Sequence, residues 1–376
     1  MSAPATDDGT VPGPADAPDG AAALAEVRRR LRDLLGPTTV TACEQLKGGW
    51  YNTPQLLELG DGRRMVLKTA PDADTPALTH EQGLLGTEQL FHRLAADAGL
   101  PVPTVRHHEP AGATAPAEWL LLDHLDGTTW EAAQARIGAS DRAALRHRPG
   151  ELAATVAGVT GPVFGYPQPV RGLAAADWPT AFAGMLHAVL ADAERFGVAL
   201  PVPEAVLADL PARFAAELAE VRRPALVHFD AWEGNILLDG TPLDGEAGEA
   251  ADGPVDGAGG AEGTGPRIVG QIDGERAFFG DPLAELVGLD PLGAAEDDPD
   301  LLAGYRTVDP AFAVDDTARV RLALYRIHLA LIMRVEAAPR GYEGPHRDWL
   351  TAWSGERVTA QLRLLDTAAA AAATAD

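Results

Sequence analysis

Apolar residues recur along this chain with two different periods, and the change of period divides it into a strand-rich first third and a helical remainder. Leu24, Val27, Leu31, Leu34 and Leu35 fall three and four apart with arginines between them. That spacing predicts a helix over 21–35, which Pro37 stops. Short apolar runs at 38–46, 53–59 and 64–69 read as strands, and Gly60-Asp61-Gly62 supplies a hairpin turn between the last two. A helical pattern over 80–98 ends at Gly99, where Pro101 and Pro103 block its continuation. Two more strand-like runs lie at 102–107 and 118–123. Beyond Gly127 the three-and-four spacing takes over, at 143–159, 177–196, 203–221, 282–288, 317–335 and 346–368.

Two stretches carry no period. Residues 1–20 and 239–266 are rich in Gly, Pro, Ala and acids, a composition that buries no core and predicts disorder. The alanine-rich 367–376 reads as a fraying helix end. The expected organisation is therefore a tail (1–20), a strand-rich unit (21–124), a helical unit (125–366) holding the 239–266 insert, and a second tail (367–376).

Charge and cysteine narrow the function classes. The formal net charge is −25, and 11 of those charges sit in the two aperiodic stretches, which hold no base. The acidic remainder argues against nucleic acid and anionic membranes, both of which need clustered Lys and Arg. It is compatible with a cationic small molecule. No run of 18 apolar residues exists, and the N-terminus lacks the basic and apolar regions of a signal peptide. A single cysteine, Cys43, excludes an intramolecular disulfide and cysteine zinc clusters. The expectation is a soluble cytoplasmic protein, and nothing in the sequence points to a protein partner.

The chemistry is concentrated in two segments. Between apolar runs, His228, Asp230 and Asn235 stand in the order His-x-Asp-x-x-x-x-Asn. Phosphoryl transfer needs a carboxylate to orient an attacking hydroxyl and hard oxygen ligands for a divalent metal, and this spacing supplies both. A second apolar run, Ile268-Val269-Gly270-Gln271-Ile272, ends in Asp273, where a kinase puts the acid that holds magnesium. Lys68 closes the apolar run Met65-Val66-Leu67, after a glycine-bearing turn and before a helix with acids. No Gly-x-x-x-x-Gly-Lys-Ser/Thr pattern occurs, which removes the P-loop fold as an alternative.

With these residues, from about 41 to 286, the chain resembles the aminoglycoside phosphotransferase family, which also includes choline, homoserine and fructosamine kinases. The resemblance rests on His228 to Leu238, on Ile272-Asp273-Gly274-Glu275-Arg276-Ala277, and on Gly280-Asp281-Pro282-Leu283-Ala284-Glu285-Leu286. It implies an α+β, protein-kinase-like two-lobe fold: a small N-terminal lobe of five antiparallel strands and one helix, and a larger, mainly helical C-terminal lobe. It implies an ATP- and Mg-dependent transfer of the γ-phosphate to a hydroxyl of a small polar acceptor, such as an aminoglycoside, an aminosugar or another antibiotic-like molecule. Abundant Ala and Gly with Arg far above Lys point to a high-GC genome, which loosely favours a resistance or biosynthetic role.

The roles implied by the resemblance are as follows. Asp230 is the catalytic base and His228 braces its loop, while Asn235 and Asp273 hold magnesium. Gly48 and Gly49 approach the phosphates. Lys68 contacts them and pairs with Glu88, with Glu81 as the alternative partner. The backbone near Asp123 and Leu125 reads the adenine. Asp281 is expected to cap a helix. Trp232, Glu233, Glu275, Tyr166, Asp177 and Trp178 are the candidates for acceptor contact.

Two departures stand out: Phe229 occupies a position that is usually glycine in the family, and Gly274 one that is commonly tryptophan. Phe229 and Trp232 are expected to make the rim of the site bulky and aromatic. A metabolic kinase for a hydroxylated amine or sugar would carry the same motifs. A non-catalytic nucleotide-binding pseudokinase is the competing class, yet such proteins lose the lysine, the base or the metal acid, and all are present here.

Overall fold

The computed structural model describes residues 20–36, 38–46, 52–72, 74–112, 115–168, 170, 172–239 and 266–375. Gly48, Gly49 and most of the two stretches expected to be disordered lie outside them.

The small lobe begins with α1 (Gly20–Leu35). It then forms an antiparallel sheet of β1 (Val40–Gln45), β2 (Thr53–Leu59), β3 (Arg64–Thr69), β4 (Val105–Glu109) and β5 (Trp119–Asp123) in the order β1-β2-β3-β5-β4, with α2 (Leu84–Asp97) following β3. Side chains alternate across a pleated strand, and β3 uses both faces. Met65 and Leu67 bury against Val27 and Leu31 of α1. Val66 packs with Leu85, Leu120 and Leu122 on the α2 side. Lys68, two residues on, shares that α2 face. The five strands match those expected. The helix expected over 80–98 is instead a single tight turn, Thr79–Glu81, followed by α2. Gly83 separates them at φ +69, a left-handed conformation that helical geometry excludes.

The large lobe is mainly helical. It contains α3 (Ala139–Ala157), α4 (Trp178–Arg195), β6 (Ala225–Val227), β7 (Ile236–Asp239), β8 (Arg267–Gln271), β9 (Phe278–Gly280), α5 (Ala284–Leu289), α6 (Pro299–Val308), α7 (Asp316–Glu336) and α8 (Gly344–Ala375). β7 pairs antiparallel with β8, and β6 with β9, so the motif strands form two small ladders that carry the site between them. Where one helix was expected over 203–221, three short ones occur: Glu204–Ala208, Leu210–Arg213 and Ala215–Leu218. Pro211 explains the break, since it has no N–H to donate and its ring crowds the carbonyl of Leu207. Among the described residues no helix is long and apolar enough to cross a membrane.

The large-lobe core gathers Trp178, Phe182, Phe229, Phe278 and Tyr325. Beside it, α3 and α6 cross at two glycines. A Cβ on Gly150 would collide with the Leu301 carbonyl oxygen, and one on Gly304 with that of His147. Gly304→Ala is therefore expected to cost about 2–3 kcal/mol by overpacking the crossing, measurable as a lowered urea midpoint at unchanged m-value.

His328 of α7 is 1% exposed, and neither ring nitrogen has a hydrogen-bond partner. Burial between Phe182 and Phe229 pushes its pKa down to about 3 from 6.5. The unfolded chain therefore takes up this proton first, and stability drains away as pH falls below 6.5. Unfolding titrations of His328→Leu and the parent at pH 7 and pH 5 should differ by about 2 kcal/mol in their acid loss, the parent losing more.

Candidate active site

The 228–235 loop between β6 and β7 is held in place by a set of buried hydrogen bonds. The Glu285 carboxylate accepts from the backbone N–H of His228 at 2.7 Å and of Phe229 at 3.3 Å. His228 is fully buried, and its Nδ1 accepts from the Asp230 N–H at 3.2 Å. Nε2 therefore carries the proton and donates to the Ile272 carbonyl at 2.9 Å. Burial pushes the His228 pKa down to about 4, so the ring is neutral at physiological pH. The bracing role expected of it agrees with these contacts.

The Ile272 peptide ties the two motif segments together. Its N–H donates to the Asn235 carbonyl at 3.0 Å while its own carbonyl receives His228. Asn235 donates Nδ2 to the Asp230 carbonyl at 2.8 Å, which leaves the amide oxygen as the atom suited to a cation. Asp273 follows at φ +67 and turns its carboxylate toward the small lobe. There the Lys68 ammonium donates to Glu88 Oε1 at 2.7 Å and to Asp273 Oδ1 at 2.5 Å. Glu81, the alternative partner, is instead paired with Arg340 at 2.7 Å.

Electrostatics follow from this crowding. Burial works against the charge on Lys68, but Asp273, Glu88 and Glu275 overcome it and hold the pKa raised. Burial likewise opposes ionisation of Asp273, and Lys68 overrides it, holding that carboxyl low. Glu275 is held well above the carboxylate range, first by burial and then by the Asp273 charge. Its carboxyl receives Asn52 Nδ2 at 2.5 Å. Glu88, Asp273 and Glu275 bring oxygen atoms within 4.8 Å of one another. The Lys68 ammonium occupies this cluster, and the oxygens a hard divalent cation would take are those of anionic Asp273 and the Asn235 amide.

Asp230 keeps 25% of its side chain open. Burial pushes its pKa up to about 7, with Arg276 pulling the other way. Arg276 Nε lies 3.5 Å from Asp230 Oδ2, while its Nη2 donates to Glu336 at 2.9 Å. Arg340 joins Glu336 at 3.2 Å, so a buried ionic chain leads from Asp230 to Glu81. The sequence reading missed Arg276 and Glu336. Arg276 lies inside the motif run and could have been singled out, whereas Glu336, 60 residues on, carries no local signal.

Several expected contacts are corrected. Phe229 is 1% exposed and packs against Phe278 and His328, so it points into the core and does not make the rim. Trp178 is fully buried and donates Nε1 to Tyr325 at 2.8 Å. Tyr166 is buried and stacked on His80. Asp177 caps α4 by accepting from Thr180 N at 3.0 Å. These three are structural residues of the large lobe. Trp232 and Glu233 are half-buried beside the loop, with Glu233 held by Gln134 at 3.1 Å. The Asp123 side chain pairs with Arg106 at 2.6 Å, and its N–H donates to the Thr104 carbonyl. Leu125 is half-buried against β8 at Gly270. Gly274 has no room for a larger residue, because a Cβ there would meet the Phe91 ring. Asp281 accepts from Leu283 N, Arg321 and Tyr325, as a structural role requires.

Comparison with known proteins agrees with this geometry. No curated protein sequence matches the chain. Solved structures match over nearly its whole length. A candidate fructosamine-3-kinase from Thermobifida fusca aligns at TM-score 0.59 and 20% identity, covering 90% of this chain and 98% of its own. An aminoglycoside phosphotransferase, APH(4)-Ia, in a ternary complex with ADP and hygromycin B, aligns at 0.56 and 18%, covering 90% and 98%. A choline/ethanolamine kinase family protein from Mesorhizobium loti aligns at 0.54 and 20%, covering 92% and 98%. These likenesses establish the kinase-like fold. The model of the phosphotransferase enzyme family matches residues 42–245, from β1 through the catalytic loop. With more than half of its length covered by that match, the chain belongs to the phosphotransferase enzyme family.

Proposed function

We propose that this phosphotransferase moves the γ-phosphate of ATP to a hydroxyl of a small molecule, with Asp230 as the base. The observation that carries the reading is the convergence of Lys68, Asp273 and the Asp230 loop: Ile272 ties the loop to the Asp273 segment, and Lys68 bonds to Asp273 from the small lobe. Lys68, oriented by Glu88, neutralises phosphate oxygens. Asn235 and Asp273 would hold magnesium, which when bound offsets the charge on the transferring group. Asp230 orients the acceptor hydroxyl and takes its proton as the new O–P bond forms, and most of its effect is positioning. A pseudokinase would lack one of these groups. The retention of all four favours the enzyme.

An ADP-release assay with Mg-ATP and a panel of hydroxylated acceptors tests this reading. Asp230→Asn should lower kcat about 10³-fold while the fold and ATP binding persist. A carboxyl group raised to about 7 is protonated below that pH and accepts no proton. The kcat/KM for Mg-ATP of the parent should therefore climb as pH rises through about 7, a limb absent from the residual activity of Asp230→Asn.

Lys68→Met removes two charge-assisted contacts. It should weaken Mg-ATP binding by about 10- to 100-fold in calorimetric titration. It should also lower Tm, because Glu88 is left buried without its cation. Unchanged ATP affinity in this variant would contradict the reading.

A further inference from the structure

Behind Asp230 the charges alternate in sign through Arg276, Glu336, Arg340 and Glu81. Glu336 and Glu81 are buried and both arginines half-buried, so salt screens these contacts weakly. The attachment of Arg276 is the informative one. A guanidinium grips a carboxylate best with two N–H groups along one edge. Here the edge formed by Nε and Nη2 is divided between two acids. Nη2 donates to Glu336 Oε2 at 2.9 Å, while Nε faces Asp230 Oδ2 at 3.5 Å. Burial works against the Arg276 charge, and Glu336, ahead of Asp230, overcomes it. Glu336 therefore holds the stronger claim on the guanidinium.

The far end of the chain is fixed. Arg340 Nη1 lies 3.2 Å from the same Glu336 oxygen, and its backbone N–H donates to the Glu336 carbonyl at 3.1 Å. Its Nη2 donates to Glu81 Oε1 at 2.7 Å, and the other Glu81 oxygen accepts from the Leu78 N–H at 2.6 Å. Glu81 belongs to the tight turn before α2, and that turn is seated in the large lobe. Leu78 lies within the large-lobe core. The Thr79 N–H and hydroxyl donate to Asp192 of α4 at 2.6 and 2.7 Å. A carboxylate so anchored engages Arg340 and keeps it from taking Glu336 for itself.

The consequence falls on Asp230. A carboxylate that orients a hydroxyl must offer it a free lone pair. Were Arg276 to close on Asp230 with both N–H groups of that edge, each carboxylate oxygen would be bound to the guanidinium.

We propose that Glu336 is a positioning residue that holds Arg276 off Asp230, and that Glu81, by engaging Arg340, keeps Glu336 available for it. This rests on the kinase reading above and adds to it the arrangement that leaves Asp230 open.

Steady-state hydrolysis of Mg-ATP by the full chain tests it, because water then takes the place of the acceptor hydroxyl. Glu336→Gln keeps the shape and loses the charge, so Arg276 closes on Asp230. The kcat per folded molecule should fall about tenfold while KM for Mg-ATP holds. Glu336→Asp, which keeps the charge, should recover most of that loss. In an Arg276→Gln background, Glu336→Gln should have no further effect on kcat, as required of a residue that acts only through Arg276. Glu81→Gln frees Arg340 to compete for Glu336 and should lower kcat about threefold, and it carries the test if Glu336→Gln does not fold. A crystal structure of either variant should show Arg276 in hydrogen-bonding contact with Asp230. Losses that add in the double variant, a matching rise in KM, or an Arg276 that stays at 3.5 Å in the variants would overturn the proposal. If the parent neither binds nor hydrolyses Mg-ATP, the kinase reading fails. The place of Arg276 in the variant structures then still decides whether Glu336 holds it.

Discussion

The Glu285 carboxylate, accepting two consecutive backbone N–H groups, is the interaction on which the site depends. Phe229 adopts φ +65, a left-handed conformation that costs a non-glycine residue on the order of 1 kcal/mol or more. That turn aims the Phe229 ring inward to Phe278 and His328, and it leaves Asp230, the next residue, on the open side. Burial of a whole phenyl ring offsets the strain. Gly288 on α5 makes the arrangement sterically possible, because a Cβ there would press into the Phe229 backbone. The position of Asp230 is thus set by a helix whose Glu285 lies 55 residues further along the chain.

That helix is anchored in turn. Asp281, just before α5, accepts from Arg321 at 2.9 Å and Tyr325 at 2.8 Å, and Tyr325 accepts from Trp178. Two large-lobe helices, α7 directly and α4 through Tyr325, therefore converge on the segment that orients the loop. On the other side, Lys68, Glu88 and Asp273 form one of the polar contacts between the lobes. One lysine faces three acids there, so one carboxyl must give up its charge at low cost. Glu275 is that carboxyl: burial and the Asp273 charge hold it well above the usual carboxylate range, and the Asn52 amide donates to it. Nucleotide phosphates would compete with Asp273 for Lys68 and free that acid for a cation.

Much of the site was legible because it is local. His228, Asp230 and Asn235 lie within eight residues, and their backbone bonds follow from that spacing. The β3 alternation that puts Lys68 on the α2 side is equally local, and so was readable before the fold was known. What escaped depends on tertiary contact. Trp178 and Tyr166 look like acceptor aromatics in sequence, since burial is not written in residue type. Phe229 looked like a rim residue because one positive φ reverses the direction of its side chain. The split at Pro211 was readable and was overlooked in a pattern of apolar spacing.

The ionic chain from Arg276 through Glu336 and Arg340 to Glu81 has a consequence for the acceptor side. Arg276 is tethered at 2.9 Å to Glu336 and stays 3.5 Å from Asp230, beyond a good hydrogen bond. The guanidinium therefore favours the ionised base through space without occupying the lone pairs that a hydroxyl must reach. Arg340 then bridges Glu336 to Glu81, so each carboxylate of the chain faces a guanidinium. The tethered guanidinium thus leaves the Asp230 oxygens open to a hydroxyl donor.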